Sequence, residues 1–125
     1  MSLPFAGETV TLVRRIESIV ASKTYVTYAT VILTGCSWRR TMRYNRDDKT
    51  LIPYEGITCR VPAGQSVPHA GDLLILGAVE ETVTSGAEYQ ALIERYRDTG
   101  GAFFVASVAD NARPGMPMPH YAARS

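Results

Sequence analysis

The sequence is short of the residues that metal, redox and nucleophilic chemistry draw on. It holds two cysteines, Cys36 and Cys59, and two histidines, His69 and His120, in 125 residues. Neither cysteine belongs to a CxxC pair, no HExxH run occurs and neither histidine stands in a spaced ligand motif, so a zinc site has no support. Two cysteines also make no disulfide framework, which belongs to short secreted chains with many more. Both are expected to be small, partly buried hydrophobes. A Cys–His or Ser–His pair would have to meet in space, and nothing in the sequence raises one above background. His69 follows Pro68 and His120 follows Pro119, which is loop and tail chemistry. Around Gly71-Asp72 no Gly-Lys-Ser/Thr follows, so no phosphate loop is present. Glu80-Glu81 stands ahead of a helix start, where negative charge suits the helix dipole better than it suits a catalytic dyad. No cofactor, no metal and no enzymatic activity are expected.

A strong charge of either sign is missing too. Lys+Arg 13 against Asp+Glu 12 leaves a net charge of +1, which argues against a dedicated nucleic-acid or acidic-membrane binder while leaving room for a local basic patch. The apolar runs fall far below the ~20 residues that cross a bilayer, and no membrane partner is expected. The opening Met1-Ser2-Leu3-Pro4-Phe5 has neither a basic nor an apolar leader region, so export is not expected. What the sequence does have is 46% hydrophobic and 20% charged residues, enough for one packed core, and a single domain over 1–125 is expected.

The periodicity is mostly that of strands. Thr9–Val13 alternates polar and apolar residues, and Thr24–Leu33 is rich in β-branched and aromatic side chains, with Gly35 placed to bend or bulge it and Ser37-Trp38-Arg39 to carry it on. Ile57–Val61 alternates again and is closed by Pro62. Leu73–Leu76 is a continuous apolar run, as in a strand buried on both faces. Ala102–Val108 reads as a further strand, and a weak last one includes Tyr121. Between them Tyr89, Leu92, Ile93 and Tyr96 fall on one face of a helix over about Ser85–Asp98, with Ser85 and Glu88 as a capping box and Gly100-Gly101 as a stop. The fold expected is mainly β: a small antiparallel β-barrel or sandwich with this one helix packed against it. Trp38 is expected as a core or edge anchor. Tyr25 and Tyr28 cannot share a face of a regular strand, so at least one of them looks outward.

Two segments break the pattern. A long basic loop is expected at 39–55, where Arg39, Arg40, Arg43, Arg46 and Lys49 interleave with Tyr44 and Tyr54. Two readings of it stay open: a basic, aromatic-studded arm that meets phosphates or an acidic partner, or a solvated hairpin whose Asp47-Asp48 partly neutralises the arginines. An extended tail is expected at 112–125, its prolines barring a regular central strand and its Met116 and Met118 offering adaptable apolar contacts.

Read in order, these motifs resemble a family. Gly35-Cys36-Ser37-Trp38, then Arg60-Val61-Pro62, then Ala70-Gly71-Asp72-Leu73-Leu74-Ile75-Leu76-Gly77, then Val105–Asn111 and finally Pro119-His120 are similar to small structural proteins of the head–tail modules of tailed bacteriophages and prophages. The resemblance covers about Tyr25 to Tyr121. It implies a non-enzymatic virion protein, made in the host bacterial cytoplasm and placed at the head–tail junction. Such a head-completion or head–tail connector subunit assembles with itself in a ring beneath the portal and meets neighbouring portal, connector or tail proteins. Arg39, Arg40, Arg43, Tyr44, Arg46, Tyr54, Met116 and Met118 are then the candidate interface or channel contacts, with non-specific contact to packaged DNA through the 39–55 loop. A tail-terminator or minor tail protein is the alternative, and a small ligand-binding or enzymatic β-barrel ranks behind both.

Overall fold

The structure is a computed structural model, and it describes residues 7–44, 51–80, 82–97, 101–112 and 118–125, with 41–44 and 51–55 described as backbone only. Among these residues the strands are β1 (Glu8–Val20), β2 (Lys23–Tyr44), β3 (Leu51–Pro62), β4 (Leu73–Leu76), β5 (Ala102–Phe104), β6 (Ser107–Asn111) and β7 (His120–Arg124). The helix α1 spans Gly86–Arg97. All strand pairs are antiparallel, in the order β5-β4-β1-β2-β3-β7-β6.

The sheet doubles over because β2 serves two partners in turn. Its first part pairs with β1 as far as Cys36, and its second pairs with β3 from Ser37 onward. Gly35, at a φ of 67°, sits at the changeover, where a side chain would favour a different backbone region. The opposing strand slips register between Glu8 and Val10, so the corner is a bulge of the kind that bends a strand. Two layers result, β5-β4-β1-β2 and β2-β3-β7-β6. Between them lie Val10, Leu12, Leu33, Cys36, Ile57, Cys59, Val61, Leu74, Phe103, Val105 and Ala123.

The outer face of the first layer is covered by α1 and the chain leading to it, through Val13, Leu73, Ile75, Val79, Val83, Leu92, Ile93 and Ala102. This is why β4 is apolar at successive positions: Leu74 faces the inter-sheet core while Leu73 and Ile75 face the helix. Thr11 is buried on the helix side with both needs met, its hydroxyl donating to Gly77 O at 2.7 Å and accepting from Val79 N at 2.9 Å. The helix begins as its capping residues imply. Glu88 N donates to Ser85 Oγ at 3.2 Å, and the Glu88 carboxylate accepts from Thr84 N at 2.9 Å, one residue ahead of the usual box partner. Gly101 N donates to Tyr96 O at 2.9 Å beyond its last turn, while residue 98, the expected end, lies outside the described residues.

The barrel-or-sandwich expectation resolves to the second. β5 and β6 end the sheet and are joined only by Val105-Ala106, not by a ladder. Val105 N donates to Asp72 O and Ala106 N to Arg124 O, so this one stretch of chain borders both layers. The single strand expected over Ala102–Val108 is therefore two. Trp38 is an anchor of the core, its ring 5.2 Å from that of Phe103.

Three expectations are corrected. The first strand does not end at Val13 but runs to Val20, turning through Ala21 and Ser22 at φ values of 52° and 65°. That is the backbone of a two-residue I′ hairpin, here formed without the Asn-Gly signature that would have announced it. The long loop at 39–55 is strand to Tyr44 and again from Leu51, because cross-strand pairing satisfies the backbone groups however charged the side chains are, and residues 45–50 lie outside the described residues. The tail at 112–125 does not stay free of the sheet, since its end is the strand β7, and residues 113–117 lie outside the described residues. Its prolines all precede His120, so β7 keeps its donors and enters the sheet between β3 and β6.

Candidate functional site

Beyond Arg14 the β1–β2 hairpin leaves the body of the protein. β4 covers the edge of β1 only over Val10–Val13, and β3 covers the edge of β2 only from Ser37. Residues 14–29 thus form a two-stranded ribbon with two open edges, and from Arg15 to Val20 every residue is exposed. Six residue steps carry its tip ~20 Å past Arg14. Cross-strand partners share a face, so Ile16, Val20 and Tyr25 lie on the face that continues the inter-sheet core. Ile19, Val26, Tyr28 and Ile32 lie on the face that continues the helix side. Ile19 is 77% exposed and Val20 59%, and Ile16, Tyr25 and Ile32 are exposed as well. Burial explains none of these apolar side chains, and a lone hairpin is marginal in water.

The ribbon is braced at its root. Arg14 Nε donates to Asp72 Oδ1 at 3.0 Å and Arg14 Nη2 to Asp72 Oδ2 at 2.7 Å, while Nη2 also donates to Val67 O at 2.9 Å. His69 N donates to the same carboxylate at 2.8 Å. Hydrogen bonding to Asp72, against the opposing cost of burial, raises the Arg14 guanidinium further above its ordinary range. On the helix side Tyr28 packs on Tyr89 with ring centroids 4.9 Å apart. Burial, followed by the nearby Tyr28, pushes the Tyr89 hydroxyl up. Farther out Arg15 pairs with Glu17 on the same strand. Between this face of β2 and the chain entering α1 lies an open groove of about 400 Å³ lined by Tyr28, Thr30, Ile32, Val79, Glu80, Thr82 and Val83.

A second surface lies on the outer face of the β2-β3-β7-β6 layer. Register sets Arg39 opposite Thr58 and Thr58 opposite Arg124, with Arg60 one pleat along between Ser37 and Ala122. Cys36, Trp38, Cys59, Val61 and Ala123 point inward, so the alternate positions Arg39, Arg60 and Arg124 point out. Arg39 and Arg124 stand two strand spacings apart, about 10 Å. Among the described residues no carboxylate shares the face.

The expected contact residues are thus dispersed. Arg39 lies on the arginine face; Arg40 lies on the opposite face of β2, across from Ile57. Arg43 pairs with Ile52 and Tyr44 with Leu51 along the backbone, and Tyr54 lies within β3, but their side chains are outside the described residues. Arg46 and Met116 lie outside the described residues altogether. Met118 is half-buried, and its carbonyl accepts from His120 Nδ1 at 2.9 Å, which leaves Nε2 to accept from Asn111 Nδ2 at 3.3 Å. It therefore helps to pin the β6–β7 end of the sheet. The sequence reading passed over Ile16, Ile19 and Val20, and also Arg60 and Arg124, whose neighbours only the register reveals. Cys36 and Cys59 are fully buried with free thiols; the hydrogen bond with Cys36, then burial, pushes the Cys59 thiol up and keeps it protonated. Among the described residues no three His, Cys, Asp or Glu side chains gather as metal ligands, and no helix is long and apolar enough to cross a membrane.

A family model matches residues 5–124, nearly the whole chain. The protein belongs to the family of unknown function DUF6751. No curated protein and no solved structure matches it.

Proposed function

We propose that this DUF6751 protein is a non-enzymatic assembly subunit of the virion, a head-completion or head–tail connector component that forms a ring beneath the portal. The observation that carries the reading is the β1–β2 ribbon. A small two-layered body extends a hairpin whose apolar side chains, Ile16, Ile19, Val20 and Tyr25, its own fold leaves in water. Such surfaces are covered by partners in assemblies, and a ring subunit needs two different contact faces so that each copy can hold the next. The outer arginine face suits a second contact, with packaged DNA or with acidic side chains of a neighbouring ring, and Arg60 and Arg124 join Arg39 in it. The motif order that resembles head–tail module proteins chooses this kind of assembly over others.

The test is where the polypeptide resides. Mass spectrometry of purified particles, comparing virions, DNA-filled heads and free tails, is expected to find it in virions and heads and not in tails. Presence in tails alone would transfer the role to a tail terminator or minor tail protein. Absence from every particle would overturn the reading.

A further inference from the structure

The ribbon and the groove lie on one face of β2. Ile19 pairs with Thr24, and from Thr24 the alternation passes through Val26 to Tyr28, Thr30 and Ile32, the β2 residues that line the groove. Four residue steps separate Thr24 from Tyr28 and eight separate it from Ile32, so the tip stands ~13 Å from the near end of the groove and ~26 Å from Ile32 along the same strand. An unbroken ladder from Val10 to Val20 holds it there, so the tip has no route into the groove of its own chain. The two surfaces nevertheless match in chemistry. The tip presents Ile19 on the helix-side face and Val20 with its cross-strand partner Lys23 on the other, and Ile19 and Val20 are the most exposed apolar side chains that burial leaves over. The groove presents Ile32, Val79 and Val83 with Glu80 on its rim. Apolar side chains with one cation therefore face an apolar groove with one anion.

We propose that the hairpin tip of one copy, Ile19-Val20 with Lys23, docks into the Ile32/Val79/Val83 groove of the next copy, with Lys23 against Glu80. The inference rests on the assembly reading above and specifies its contact. Tip and groove are different surfaces, so the contact is heterologous: each copy uses both, and successive copies are set off along the ribbon. They close into a ring where the rotation allows it and run on as an open chain where it does not. The open edge of β2 beside the groove lets the incoming strand add main-chain hydrogen bonds as well.

Disulfide trapping tests the contact. An I19C/T82C chain places one thiol on the tip and one on the groove rim, too far apart within a molecule to join. Cys36 and Cys59, buried in the core, stay out of the reaction. Mild oxidation is expected to give a ladder of dimer, trimer and higher species on a non-reducing gel, whereas I19C alone gives none. In sedimentation, Ile19→Asp and Ile32→Glu are each expected to abolish self-association. Mixed together they should form a dimer and stop, because the intact tip of the second fits the intact groove of the first. Lys23→Glu should weaken association and Glu80→Lys in the same chain restore it. Absence of the ladder, cross-linking of I19C alone as efficient as that of the pair, or no dimer on mixing would overturn the proposal. A ladder from a protein absent from all phage particles would sink the virion reading and leave this contact standing. A protein present in heads but giving no ladder would do the reverse.

Discussion

Asp72→Asn exchanges a carboxylate for an amide of the same shape where β4 meets the root of the ribbon. Three groups converge on Asp72: Arg14 Nε, Arg14 Nη2 and the backbone N–H of His69. The side chain of Asp72 is 5% exposed and that of Arg14 30%. An amide keeps one accepting oxygen and turns the other position into a donor aimed at the guanidinium, so at least one charge-assisted bond is lost and one contact becomes repulsive. Breaking a fully buried pair costs about 3–5 kcal/mol. Because Arg14 retains access to water, part of that is recovered, and about 2–3 kcal/mol is expected, in line with hydrogen bonds to charged groups. For a domain of this size that lowers Tm by about 8–12 °C. Urea unfolding followed by circular dichroism measures it, with the m-value expected to stay constant. Arg14→Met strands the nearly buried Asp72 carboxylate and should cost at least as much as Asp72→Asn, and the double variant should cost clearly less than the sum of the two, since the partners act as a unit. A loss below about 0.5 kcal/mol, or strict additivity, would refute the claim that this pair braces the ribbon.

Three further outcomes are expected. Ser85→Ala removes the acceptor for Glu88 N and should destabilise the protein by about 1 kcal/mol in the same unfolding assay. Ala21→Asn together with Ser22→Gly supplies residues suited to two left-handed turn positions and should steady the ribbon by about 1 kcal/mol, seen as slower amide exchange across Ile16–Thr27 with Tm almost unchanged. At pH 8 a thiol reagent should find no reactive cysteine in the native protein and two after denaturation, because both thiols are fully buried in the inter-sheet core, out of the reagent's reach; rapid labelling of the folded protein would contradict that placement.

Much of the body could be read locally. The apolar run Leu73–Leu76, with no polar alternation, announced a strand covered on both faces, and it is covered by the inter-sheet core on one and α1 on the other. Ser85, Glu88 and the Tyr89-Leu92-Ile93-Tyr96 stripe announced the helix and its buried face, because capping and a 3.6-residue period are properties of neighbouring residues. Gly35 was legible as a bend for the same reason. The ribbon was not. Arg14–Val20 alternates poorly, and it is a strand because the β-rich Lys23–Ala29 lies beside it. β7 was legible only as a weak last strand about Tyr121, and its central place in the sheet came from pairing with both β3 and β6.

The sequence by itself determined the elements of the body and the absence of any metal or nucleophile motif, since propensity, capping and periodicity act over a few residues. Tertiary structure alone decided which surfaces those elements expose. A two-residue period says that Arg39, Arg60 and Arg124 point away from buried neighbours, but only strand order and register bring them to one face. In the same way, Ile19 and Val20 stay in water only because β4 covers β1 no farther than Val13 and β3 covers β2 no earlier than Ser37, since an open edge depends on which strands are absent from beside it.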